Sequence, residues 1–210
     1  MNQAEARDEI CRIGRLLWEC GHVGAVEGNL SCRIDGGTLL CTPTGKSKGD
    51  LTPSDLVLTD LEGKSLDGGQ PSSELQLHLE CYASRPDCQA VVHAHPPYAT
   101  AFALAGETVP DNMLPEAAVF LGRVALVPFA MPGTPAMRDA IRPYLGLHKT
   151  FLLQNHGAVV LGADLQGAWE RMDTLERVAA AIYRARRLGD PLTLPASATT
   201  KLRDYFNAKL

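Results

Sequence analysis

Residues 29–42 read NLSCRIDGGTLLCT. Two alternating apolar and polar runs flank Asp35-Gly36-Gly37, and a turn this short joins antiparallel neighbours, because parallel strands need a crossover of roughly a dozen residues or more. Ahead of this hairpin, Ile10, Ile13 and Leu17 recur at helical spacing and the pattern stops at Gly21, so a helix precedes it. Behind it, LVLTD (56–60) and KSLDG (64–68) read as a second strand pair around Glu62-Gly63. The spacing then predicts a helix from Pro71-Ser72-Ser73-Glu74 to about Ser84, with Glu74 in its first turn. Next come strand AVVHAH (90–95), a short helix from Pro97 to Leu104, strand VALVPF (124–129) and a helix from Thr134-Pro135 through Ile141. FLLQNHGAVVLG (151–162) supplies one or two strands. A long helix from about Leu165 to Leu188 carries Trp169, Met172, Leu175, Ala179 and Ile182 on one face. Hairpin strands mixed with helices imply an α/β chain, a three-layer α/β/α sandwich with a largely antiparallel central sheet.

Composition bounds the function. With 210 residues, 45% of them hydrophobic, the chain is expected to form one domain over 1–210, with its core at about 10–188 and a polar tail at 193–210 that is mobile or lies on a neighbouring subunit. The net charge is −4 and no Lys/Arg cluster makes a nucleic-acid stripe, so a nucleic-acid partner is not expected. No window approaches the roughly 18 apolar residues needed to cross a bilayer, and MNQAEARDEI lacks the apolar core of a signal peptide, which predicts no membrane partner and a cytoplasmic setting. Six cysteines form no C-x-x-C pair; Cys32 and Cys41 could face each other across the hairpin, but buried free thiols are expected.

The chemistry concentrates in histidines. His93 and His95 end the run AVVHAHP (90–96), and side chains two apart on a strand share a face, so both rings can grip one ion. His156 interrupts LLQNHGAVV (152–160) just before a glycine. Three neutral imidazoles with one open position suit a catalytic Zn2+ or another divalent ion. Without a metal each buried ring would need both a donor and an acceptor partner, which Val, Ala and Pro do not offer.

A second constellation is rich in small and hydroxyl residues: Glu27-Gly28-Asn29-Leu30-Ser31, then residues 42–49 (TPTGKSKG), then Ser72-Ser73 at the start of a helix. Backbone N–H groups, hydroxyls and an amide at a helix N-terminus make a phosphate cradle, to which Lys46 and Lys48 could add charge. No G-x-x-x-x-G-K-[ST] occurs, so nucleotide hydrolysis has no support. Glu74 stands beside this cradle, where a carboxylate can serve as a metal ligand at rest and as a general base during turnover. His78, one helical turn on and on the same face, could orient Glu74 but reads more simply as a surface histidine, and His22 and His148 show no chemical role.

EGNLS, TPTGKSKGDL, PSSE, VVHAHP and QNHG, in this order and spacing, resemble the class II aldolase/adducin family over residues 10–188. The resemblance implies an α/β/α sandwich and a homotetramer with active sites at subunit interfaces. It implies zinc held by His93, His95, His156 and Glu74, with Glu74 also the catalytic base. It assigns substrate phosphate to Gly28, Asn29, Thr44, Gly45, Ser72 and Ser73. The implied activity is a lyase reaction of carbohydrate metabolism, the zinc-dependent retro-aldol cleavage of a small ketose 1-phosphate, fuculose-1-phosphate-like or a deoxypentulose phosphate. Its products would be dihydroxyacetone phosphate and an aldehyde. The chain departs from the aldolases at VPDNMLPEAAVFLG (109–122), where they place a tyrosine and this chain offers Glu116 as the nearest acid. That departure keeps a methylthioribulose-1-phosphate dehydratase-like or pentulose-phosphate 4-epimerase-like reaction in view, and a non-catalytic adducin-like interaction domain is the rival from another class.

Overall fold

The computed structural model describes residues 2–207. In chain order the elements are α1 (Gln3–Glu19), β1 (Asn29–Arg33), β2 (Thr38–Cys41), β3 (Val57–Asp60), α2 (Leu75–Ser84), β4 (Ala90–Ala94), α3 (Pro97–Leu104), β5 (Val124–Val127), α4 (Pro135–Leu145), β6 (Thr150–Leu153), β7 (Gly157–Gly162), α5 (Leu165–Leu188) and α6 (Ala196–Asn207). A π-helical turn spans Ala117–Leu121. The seven strands make one sheet in the order β3-β2-β1-β4-β7-β6-β5. Every pairing is antiparallel except β5 with β6, which are parallel.

Strand alternation sorts the core onto two faces. Leu30, Cys32, Leu40, Ala90, Val92, Ala94, Ala158 and Val160 meet α1, α3 and α5 on one side. Leu39, Cys41, Val57, Val91, Phe151, Leu153, Val159 and Leu161 meet α2 and α4 on the other. The expected three layers are therefore present. His93 shares the parity of Val91, so its ring faces the α2 side, with Asn29 directly opposite it on β1 and Val159 opposite it on β7.

Several expectations need correction. KSLDG contributes a single bridge, Ser65 to Thr59, rather than a strand, because the Asp67 carboxylate takes the Leu58 N–H that a further ladder bond would use. Cys32 pairs with Leu40 and Cys41 with Ser31, so the two thiols point to opposite faces rather than toward each other; both are buried and free, as expected, and burial pushes each up to about 12. Helix α2 starts at Leu75, leaving Glu74 at its N-cap rather than in its first turn. The tail forms α6 and packs within the chain: Leu194 N–H donates to Asn112 O at 2.7 Å, and Arg203 pairs with Asp111. Tail residues 208–210 lie outside the described residues. No helix among the described residues is long and apolar enough to cross a membrane.

Candidate metal centre

Strand pairing delivers the three histidines to one edge of the sheet. His93 is the fourth residue of β4, His95 follows two residues later, and His156 closes the tight turn between β6 and β7, where Asn155 takes the left-handed conformation (φ 57°). Gly157 makes the approach possible: a Cβ there would lie 2.5 Å from the His95 ring and 2.6 Å from Ala94 O. Gly28, at φ 74°, does the same on the other flank, since a Cβ would meet His93 O at 2.9 Å. His22, silent in the sequence, accepts the His95 N–H through its carbonyl at 2.9 Å and so fixes the strand end.

One ring nitrogen from each of His93, His95 and His156 falls within 4.8 Å of the others. His93 Nδ1 donates to Ala158 O at 2.9 Å, which leaves the lone pair on Nε2 aimed at the cluster. His95 Nε2 stands 3.1 Å from it. Glu74 joins from the start of α2, with Oε2 3.3 Å from His93 Nε2 and Oε1 3.4 Å from His156 Nε2. Ligands at about 2.0–2.1 Å from a tetrahedral zinc lie about 3.3–3.4 Å from one another; the His93–His95 spacing and the approach of one Glu74 oxygen to His93 and of the other to His156 are each of that size. Glu74 Oε1 and His156 Nδ1 are buried without a hydrogen-bond partner. Three imidazoles with ring nitrogens this close, and a carboxylate against two of them, fit a divalent ion of the zinc class.

The electrostatics agree. Burial, with the neighbouring His93 ring adding to it, pushes His95 and His156 down to about 4, so both are neutral and able to ligate at neutral pH. Burial works to raise Glu74, but the adjacent His93 and His156 rings and the Asn29 amide outweigh it, and the carboxyl sits well below the usual carboxylate range.

The cradle stretches are also brought together. Thr44 N–H donates to Gln70 O at 3.2 Å and Ser72 N–H to Thr42 O at 3.1 Å, which sets residues 44–45 beside residues 72–73. Thr44, Gly45 and Ser73 are exposed, and Ser72 is half-buried. Asn29 differs: it is buried, and both ends of its side chain are engaged, Nδ2 to Glu74 at 2.9 Å and Oδ1 to His78 at 2.6 Å. Lys48 is buried rather than solvated, donating to Val26 O at 2.8 Å and Lys46 O at 2.5 Å, so it pins two loops together. Lys46 pairs with Asp55. Glu116 is exposed at the N-cap of the π-helical turn, which leads into the start of β5 two strands beyond β7, so the fold does not bring it to the histidines of its own chain. His78 is not a surface histidine: it is 1% exposed, and burial pushes it down to about 3. The signal for burial is that the Glu74–His78 spacing continues to Tyr82, four residues further on the same helical face.

With the geometry in view, the likeness to known proteins becomes informative. Residues 8–183 match the model of the class II aldolase and adducin N-terminal domain. A 3-oxo-tetronate 4-phosphate decarboxylase of Pectobacterium atrosepticum is 36% identical over 186 residues, covering 87% of this chain and 85% of that one. An L-fuculose phosphate aldolase of Methanococcus maripaludis is 35% identical, covering 83% of this chain and 94% of that one. The crystal structure of YgbL from Escherichia coli shares the fold with a TM-score of 0.89 at 34% identity, covering 96% and 99% of the two chains.

Proposed function

This chain belongs to the class II aldolase and adducin family, and from that premise we propose that it is a metal-dependent carbon–carbon lyase that decarboxylates a 3-oxo-tetronate 4-phosphate. The observation that carries this reading is the convergence of His93, His95 and His156 on one another, with Glu74 against two of them, His93 and His156.

Decarboxylation and retro-aldol cleavage are closely related. Breaking the bond two carbons from the carbonyl leaves the same enediolate of dihydroxyacetone phosphate in both; the departing piece is carbon dioxide in one and an aldehyde in the other. The retro-aldol reaction moves two protons, one off the hydroxyl of the departing aldehyde and one onto carbon. Decarboxylation moves only the second. A site with one acid/base group and no loop tyrosine therefore suits decarboxylation. In that step the C1–C2 bond breaks, the electron pair stays on C2, carbon dioxide leaves, and a proton from solvent enters at C2 by way of Glu74. A zinc or similar ion held by the three histidines and Glu74 would supply Lewis-acid polarisation of the substrate oxygens. The chain's own groups do the rest. Glu74 Oε1, without a hydrogen-bond partner, carries the proton. Thr44, Gly45, Ser72 and Ser73 hold the phosphate and so fix which carbon faces Glu74. Gly28 shapes the strand entry beside His93, and Asn29 serves Glu74 rather than the phosphate.

The aldolase expected from the sequence is the second reading, favoured by the 35% identity to an L-fuculose phosphate aldolase. It requires a second acid/base group. Glu116 would supply it only from a neighbouring copy, which ties this reading to the homotetramer with interfacial sites. Release of dihydroxyacetone phosphate does not separate the two reactions, since both yield it. Incubation with 3-oxo-tetronate 4-phosphate should give carbon dioxide and dihydroxyacetone phosphate in equal amounts. An aldehyde released from a ketose 1-phosphate, with no carbon dioxide from the oxo acid, would replace decarboxylation by the aldolase. If neither substrate yields triose phosphate, both readings fall.

A further inference from the structure

Glu74, His78 and Tyr82 recur every fourth residue from the N-cap of α2, and Asn29 and Ser31 recur every second residue along β1. The two stripes interlock in a buried chain of hydrogen bonds. Asn29 Nδ2 lies 2.9 Å from Glu74 Oε2, and Asn29 Oδ1 lies 2.6 Å from His78 Nε2. His78 Nδ1 lies 2.7 Å from Ser31 Oγ, which lies 2.8 Å from the Tyr82 hydroxyl.

The chemistry of the groups fixes every proton. A carboxylate only accepts, so the Asn29 amide turns its NH2 to Glu74 and its carbonyl to His78. That carbonyl also only accepts, so His78 Nε2 carries the ring proton. The neutral ring then accepts at Nδ1, which makes Ser31 the donor there, and the Ser31 oxygen accepts from Tyr82. All donors run one way, from Tyr82 toward Glu74. The opposite orientation of the amide would set two oxygens face to face in a buried site, where an unsatisfied charged acceptor is costly.

We propose that His78 is a positioning residue for Glu74: by donating from Nε2 it locks the Asn29 amide, which holds Glu74 Oε2 and leaves Oε1 as the oxygen that exchanges protons. The inference rests on the reading of Glu74 as the acid/base group. It also explains why a cradle residue is spent on the carboxylate, and why the two oxygens of Glu74 have unequal surroundings.

Two measurements test it. The first is the long-range 1H–15N spectrum of the histidine side chains, metal-free and zinc-loaded, with His78 assigned by its loss in His78→Gln. A single tautomer with the proton on Nε2 in both states supports the lock; a proton on Nδ1, or exchange between tautomers, overturns it. The second is kinetics. His78→Leu should lower kcat by about ten- to hundredfold, the usual scale for groups that orient a ligand from behind, with KM changed by less than about twofold. His78→Gln, which keeps an N–H for the Asn29 carbonyl, should return kcat to within about threefold. Wild-type kcat in His78→Leu overturns the proposal, and so does a loss that His78→Gln fails to restore, because packing alone would then account for it. If His78→Leu does not fold, His78→Gln and the spectrum still decide. Absence of turnover by the wild-type protein refutes the proposed function, while the tautomer judges the lock by itself.

Discussion

Among the described residues, two places gather potential metal donors within 4.8 Å: His93, His95 and His156 at the strand ends, and Cys20, His22 and Asp173 between the end of α1 and α5. Their surroundings differ in sign. In the first, the nearest carboxylate, Glu74, has an oxygen with no hydrogen-bond partner, and His93 is held from behind by Ala158 so that its lone pair faces inward. In the second, Asp173 is held by Arg177 at 2.6 Å and by His22 Nε2 at 3.2 Å, and the Cys20 thiol is raised by burial and by Asp173. The Arg177 guanidinium already compensates the Asp173 charge. Proximity of donors therefore distinguishes little; what matters is whether the negative charge is still uncompensated and whether an imidazole is held with its lone pair facing the cluster, as His93 is by Ala158.

The sharpest way to break this contrast is at the carboxylates. Glu74→Gln should lower turnover by at least about a hundredfold while metal stays bound, the scale of a lost acid/base group; near-normal turnover would remove Glu74 from the chemistry. Metal content comes next. His95→Ala should drop bound zinc from roughly one per chain to a small fraction, whereas Cys20→Ser should leave it unchanged. Full occupancy in the first variant, or loss in the second, would exchange the roles of the two clusters. The smallest effect is in acid. His95 and His156 titrate at about 4 in the fold, below the ordinary histidine value of about 6.5, so the unfolded chain binds their protons first. Their contribution is complete above about pH 6.5 and is lost as the pH falls toward 4. The melting temperature of the metal-free protein should fall across that window, and His95→Gln should flatten the fall. An unchanged slope in the variant would deny His95 its buried, neutral state.

Much of the molecule was legible in advance, and the exceptions are instructive. The hairpin at residues 29–42, the strand ending at His95, the turn at His156 and the helix closing at Gly189 all announce themselves through local periodicity and turn residues. The His93 and His95 pair follows from the two-residue period of a strand. The burial of His78 was hidden because α2 is apolar around most of its circumference: Leu75, Leu77, Leu79, Cys81 and Tyr82 are all buried, so no polar face marks which side meets β1. Lys48 looked like a loop lysine able to add charge to the cradle because its true acceptors are backbone carbonyls, which no side-chain pattern advertises. Asn29 looked like a phosphate ligand because its neighbours in sequence are cradle-like, while its partners in space, Glu74 and His78, lie 45 and 49 residues away.

The sequence by itself determined most of the elements of the core, their order, and the residue types able to hold a metal, because periodicity, caps and turns act over a few residues; the strand expected at KSLDG and the helix of the tail are the exceptions. Only the tertiary structure decided which of those groups meet. Pairing of β1 with β4 and of β4 with β7 joins segments some sixty residues apart, and that register sets Asn29 opposite His93 and turns His78 inward. Register is fixed by burying the two faces of the sheet at once, a condition on the whole chain that no single segment contains.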